Sequence, residues 1–130
     1  MSKIWLVALL LLSIIIGACE DILEVPDISN QSVAILAPMD QASLNDSLVT
    51  LSWEDLAEAE AYQVQLATPD FENAAQILLD STIVLDTTFL GTQVYKTLNN
   101  GEYQWRVRAL NSDYSTPFSG STFTVNVAEN

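Results

Sequence analysis

The sequence predicts one all-β domain, a single antiparallel β-sandwich of about seven short strands. Three observations carry that expectation. Apolar and polar residues alternate with a period of two in several stretches between Val33 and Val127, as in strands that bury one face. Turn-forming clusters separate these stretches: Pro38-Met39-Asp40, Asn45-Asp46-Ser47, Thr68-Pro69-Asp70, Asn99-Asn100-Gly101 and Ser115-Thr116-Pro117. The chain has 130 residues, enough for one domain, and its turn spacing is that of a sandwich.

The first element is not part of that domain. Lys3 precedes an apolar run over residues 4–18 that closes on Gly17 and Ala18 before Cys19. A charged start, a short apolar stretch and a small-residue exit describe a secretory signal peptide. The run falls short of the roughly 20 residues that span a hydrocarbon core. Ile16-Gly17-Ala18-Cys19 resembles the lipobox of bacterial lipoproteins. That resemblance implies removal of the signal peptide 1–18 and a lipidated Cys19, carrying palmitate or a similar acyl chain, as the mature N-terminus. Several acyl chains on one residue hold a domain firmly to a membrane. The expected location is then the bacterial cell envelope, with the outer membrane, on its periplasmic side or at the cell surface, favoured over the inner. Residues 19–32 bring Glu20, Asp21, Glu24, Asp27 and one proline with no apolar periodicity. They read as an acidic linker able to hold the domain on the order of 40 Å from the bilayer.

The predicted sandwich occupies residues 33–128. Val49, Leu51 and Trp53 alternate with Thr50 and Ser52, and Tyr62, Val64 and Leu66 with Gln63 and Gln65. Residues 54–61 have helical composition but are too few and too acidic for more than a turn. Tyr103, Trp105, Val107 and Ala109 alternate with Gln104, Arg106 and Arg108, and Phe123, Val125 and Val127 with Thr124 and Asn126. Trp53, Tyr62, Leu98, Tyr103, Trp105, Val107 and Phe123 share one face and form the expected inter-sheet core. Each contributes roughly 1.5–3 kcal/mol when fully buried.

Leu51-Ser52-Trp53, Ala61-Tyr62-Gln63-Val64 and the run from Leu98-Asn99-Asn100-Gly101-Glu102-Tyr103 into Trp105-Arg106-Val107-Arg108-Ala109 together resemble a fibronectin type III domain, an immunoglobulin-like sandwich. The likeness is closest to the divergent type of bacterial envelope lipoproteins and covers Val33 to Val127. It implies a tyrosine corner at Tyr103. Residues 70–90 depart from the pattern, which leaves the strand order there open.

Composition excludes several functions. Four Lys+Arg stand against seventeen Asp+Glu, a net charge of -13, so no basic surface exists to neutralise nucleic-acid phosphates. With no His and one Cys, the chain has no histidine acid/base pair, no internal disulfide and no ordinary zinc site. No metal or other cofactor is expected. The carboxylates Asp40, Asp46, Glu54, Asp55, Glu58 and Glu60 cluster in two loops but follow no calcium-loop motif. They read as a solvated acidic rim. No Gly-rich phosphate loop, nucleophile elbow or metal spacing is present, and a carboxylate pair means little among seventeen acids.

Arg106 and Arg108 face outward from one sheet, with Gln63, Gln65, Thr122 and Thr124 as expected neighbours. They mark either cross-strand ion pairs with nearby carboxylates or a contact for an acidic partner. Phe71, Phe89, Tyr95, Tyr114 and Phe118 are expected to be partly buried; of these, Tyr95 and Tyr114 are the candidates for glycan stacking. Asp46-Ser47-Leu48, Asp80-Ser81-Thr82 and Asp86-Thr87-Thr88 resemble short envelope O-glycosylation sites, with Ser47, Ser81 and Thr87 as acceptors. The expected function is a non-catalytic, lipid-anchored envelope module that contacts another envelope protein. The alternative is a carbohydrate-binding accessory lipoprotein of a surface glycan-uptake system.

Overall fold

The computed structural model describes residues 24–86 and 91–128. The signal peptide, Cys19, Thr87 and Phe89 lie outside the described residues. Eight strands form two sheets: β1 (Ile35–Ala37), β2 (Ala42–Leu44), β3 (Leu48–Trp53), β4 (Ala61–Thr68), β5 (Gln76–Val84), β6 (Gln93–Thr97), β7 (Gly101–Leu110) and β8 (Ser119–Val125). One sheet has the order β1-β3-β6, the other β2-β8-β7-β4-β5.

The strand count exceeds the expected seven because the chain changes sheets at Pro38. Upstream, β1 pairs antiparallel with β3; downstream, β2 pairs with β8. The β2–β8 pair is parallel, the one departure from the all-antiparallel expectation among the described pairs. Proline suits the crossover, because it has no N–H to leave unpaired between ladders. The Pro38 carbonyl accepts hydrogen bonds from Ser121 Oγ at 2.8 Å and from Trp105 Nε1 at 3.4 Å, which fastens the crossover to the core. Residues 54–60 contain no helix.

The predicted core residues are buried in full. Trp53, Tyr62, Trp105 and Val107 are at most 1% exposed, and Leu98, Tyr103 and Phe123 at most 5%. The Trp53 ring meets Tyr62 edge-on at 5.4 Å and Trp105 at 6.3 Å, while Tyr103 stacks on Phe123 at 5.5 Å. Such contacts add to the burial energy of each ring. Trp53 Nε1 is buried with no hydrogen-bond partner. Tyr62 pairs its ring burial with polar work at its tip: its hydroxyl donates to Asp55 at 2.6 Å and accepts from the Leu56 amide at 2.7 Å, pinning the β3–β4 loop. Burial and the Asp55 carboxylate push the Tyr62 phenol up to about 12. The tyrosine corner is present, with Tyr103 Oη donating to the Asn99 carbonyl at 2.6 Å.

The expected linker ends sooner than residue 32. Ile28 is fully buried and Val33 is 3% exposed, both within the core cluster. Asp27 accepts from the Ser29 amide and hydroxyl, Gln31 N donates to the Ile28 carbonyl, and Asn111 Nδ2 donates to the Pro26 carbonyl at 2.8 Å. One large apolar residue among acids carries no periodicity. Its burial is decided by the open end of the sandwich, where it fills space between the sheets.

Two stability outcomes follow. Ile28→Ala lowers unfolding free energy by about 2–5 kcal/mol in chemical denaturation, the cost of a large-to-small change in a packed core; a change under about 0.5 kcal/mol would identify residues 26–33 as a loose linker. Tyr103→Phe keeps the stacked ring but removes the bond to Asn99, and its midpoint falls by an amount equivalent to about 1 kcal/mol.

Candidate functional site

The outer face of the five-stranded sheet gathers the molecule's unusual chemistry. Antiparallel pairing sets Gln63 opposite Arg108 and Gln65 opposite Arg106, and on the other side of β4 sets Gln65 opposite Asp80. Each glutamine works in two directions. Its Oε1 accepts from an arginine Nε, at 2.7 Å for Gln65 with Arg106 and 2.8 Å for Gln63 with Arg108. Their amide nitrogens serve Asp80, with Gln63 Nε2 donating to Oδ1 at 3.1 Å.

Among the described residues, a relay through glutamines stands where cross-strand ion pairs were one of the two expectations. Asp80 stands two strands from β7, roughly 10 Å across the sheet, and the glutamine amides fill the gap. Gln63 and Gln65 are the neighbours expected for the arginines, but Thr122 and Thr124 are not. They pair with Gln104 and Glu102, and Gly120 stands opposite Arg106. A Cβ at Gly120 would lie 3.1 Å from the Trp105 carbonyl oxygen and 3.4 Å from Arg106 Cβ, so a side chain there would crowd the β7 backbone beside the arginine.

Two aromatic rings complete the site. The Arg106 guanidinium lies 4.0 Å from the Phe71 ring centre and 4.4 Å from that of Phe118, and Arg108 lies 4.7 Å from Phe118. The result is an alternating stack, Phe71–Arg106–Phe118–Arg108. Stacking of this kind contributes about 0.5–2 kcal/mol per contact and fixes the plane of each guanidinium. Phe71 reaches its place because Asp70 caps the Asn73 amide and the Phe71 amide donates to Gln104 Oε1 at 2.9 Å. Phe118 follows Pro117 and directly precedes β8. Neither ring was joined to the arginines from the sequence; both stand outside the strands, where no periodicity links them to β7.

Tyr95 and Tyr114 are not brought together. Tyr95, on β6 of the three-stranded sheet, is 59% exposed, more than the partial burial expected, and its hydroxyl accepts from Gln93 Nε2 at 2.9 Å. Tyr114 is 38% exposed in the β7–β8 loop. Phe71 and Phe118 are half-buried, as expected. Ser81 is half-buried in β5 opposite Val64, a poor place for a bulky glycan, while Ser47 is half-buried in the turn before β3. A shallow concavity of about 340 Å³ lies at the far end of β7 and β8, lined in part by Asp70, Glu102, Tyr103 and Thr122. Among the described residues, no three carboxylate or thiol ligands gather as a metal cluster would require.

Hydrogen bonds from Gln63 and Gln65, with the field of Arg106 and Arg108, hold the Asp80 carboxyl below its ordinary 3.8. A depressed carboxylate stabilises the fold above its unfolded pKa and loses that contribution as pH falls through the folded value. Thermal melts therefore show Asp80→Asn below the wild type at pH 6, and the gap closes as pH drops below 3.8. A gap independent of pH would mean that the carboxylate charge plays no part in the relay.

No protein-family profile and no characterised protein matches the sequence. Similarity to solved structures is at the level of the backbone. The crystal structure of FN3tt is 17% identical with a TM-score of 0.50, over 74% of this chain and 97% of that one. The fn3 domain of the human collagen alpha-1(XX) chain is 14% identical with a TM-score of 0.54, over 78% and 93%. The fn3 domain of human contactin 1 is 19% identical with a TM-score of 0.50, over 83% and 85%. With two sheets ordered β1-β3-β6 and β2-β8-β7-β4-β5, a tyrosine corner and these structural neighbours, the chain has a fibronectin type III-like fold.

Proposed function

We propose that this chain is a lipid-anchored, non-catalytic module of the bacterial cell envelope that contacts another envelope protein through the Arg106–Arg108 face. The observation that carries this reading is the Phe71–Arg106–Phe118–Arg108 stack. It places two of the three cations among the described residues, Lys96 being the third, on one sheet face of a chain with a net charge of -13. Aromatic rings and arginines held rigid side by side are the composition of interface hot spots. The two glutamines, held in turn by Asp80, take the Nε–H of each guanidinium from one direction, so the remaining N–H groups suit carboxylates of an acidic partner. The lipobox-like residues ending at Cys19 support the anchor, and the charge balance argues against nucleic acid as a partner. The glycan reading has less support, because Trp53 and Trp105 are buried and the two exposed tyrosines sit on separate elements.

Cys19→Ser should move the protein out of the membrane fraction and abolish fatty-acid labelling; unchanged fractionation removes the anchor from the reading. In intact cells, a photo-crosslinker at Thr82, exposed on β5 opposite Gln63, gives a discrete adduct with one envelope protein. The double variant Arg106→Gln, Arg108→Gln, checked for a cooperative melt, loses most of it. An adduct that survives the double variant places the contact elsewhere.

A further inference from the structure

The seating of residues 26–33 bears on how an anchored domain meets its membrane. Register places one end of the sandwich unambiguously. Trp53 pairs with Ile35, Ala61 with both Leu110 and Val84, and Ser52 with Gln93, so the β3–β4 and β7–β8 loops close the same end. The N-terminal segment docks there: Asn111 of the β7–β8 loop holds Pro26, and the Glu54 amide of the β3–β4 loop donates to the Ala34 carbonyl at 2.8 Å. That end carries Glu54, Asp55, Glu58, Glu60 and Asp113. The Asn99–Gly101 turn and the Asp70–Glu102 concavity close the other.

We infer that residues 26–33 are a clasp that sets the polarity of the domain on the membrane, with the acidic loop end toward the bilayer and the opposite end away from it. This rests on lipidation at Cys19. From Cys19 to Pro26 the chain reaches at most about 25 Å, little more than half of what a free linker through residue 32 would allow. The ten residues of β7 then span roughly a further 33 Å away from the attachment point. Anionic headgroups repel the carboxylates of the near end, which opposes tipping of the acidic body onto the surface. Sheet faces on strands that run away from the bilayer look sideways. The Arg106–Arg108 face is therefore offered along the membrane, and the partner it fits is a neighbour held in the same membrane whose acidic surface lies within about 60 Å of the bilayer.

The test uses the full lipidated chain in vesicles of phosphatidylethanolamine and phosphatidylglycerol with a headgroup-labelled acceptor lipid. The Cys19 thiol is consumed by its lipid, so a donor dye attaches only at an introduced cysteine, Ser112→Cys at the near end or Asn99→Cys at the far end. Energy transfer from position 112 exceeds that from position 99 several-fold. Insertion of about ten Gly/Ser residues after Glu24, or Ile28→Asp to unseat the clasp, collapses the difference. Equal transfer from the two positions in the unaltered clasp overturns the polarity. Protein that fails to float with the vesicles overturns the anchor and the polarity together, so the two failures are read separately.

Discussion

The register of β4 against β7 is the constraint on which the rest of this molecule depends. A strand alternates its side chains, so one alignment must satisfy both faces of the sheet at once. Here the same pairing that sets Tyr62, Val64 and Leu66 against Ala109, Val107 and Trp105 in the core sets Gln63 and Gln65 against Arg108 and Arg106 outside. A slip of one residue would bury two guanidiniums without partners and expose two large rings. Either cost alone exceeds a sizeable share of a small domain's stability.

From that pairing the layers follow outward. The inward set packs against Trp53 and Leu51 of the facing sheet, and Tyr62 ties the loop between the sheets through Asp55. The outward set becomes a relay from Asp80 through two glutamines to two arginines, closed by Phe71 and Phe118. β5 ends this sheet as an edge strand, with a register shift opposite Leu66 and Ala67 and a charged residue at Asp80. A bulge and an outward charge both discourage another strand from adding there. The stack of rings and guanidiniums is thus the better-built contact surface, and the edge the poorer one.

Legibility from sequence varied with the range of the interaction. The core was readable residue by residue, because alternation is local and a buried face repeats every second position. The corner at Tyr103 was legible through the resemblance to fibronectin type III domains, and its bond reaches back only four residues. The arginines were readable as outward and unusual, but their partners were not. Phe71 and Phe118 enter from loops 35 and 12 positions from Arg106, and only the folded sheet brings them to one guanidinium. Ile28 is the opposite case. A lone apolar residue among acids has no pattern to mark it, and the open end of the sandwich claims it.

By itself the sequence determined the fold class, the inward face of most strands and the charge of the surface, since these depend on composition and on the two-residue repeat of an extended chain. The tertiary structure decided the rest. It split the first strand between two sheets at Pro38, joined β2 to β8 in parallel, drew residues 26–33 into the body, and set glutamine bridges and stacked rings about the arginines. Each of these joins groups distant in sequence across a gap whose width is set by the spacing of strands, about 4.8 Å per neighbour, and by the separation of two sheets. Such distances exist only once the whole sandwich has closed.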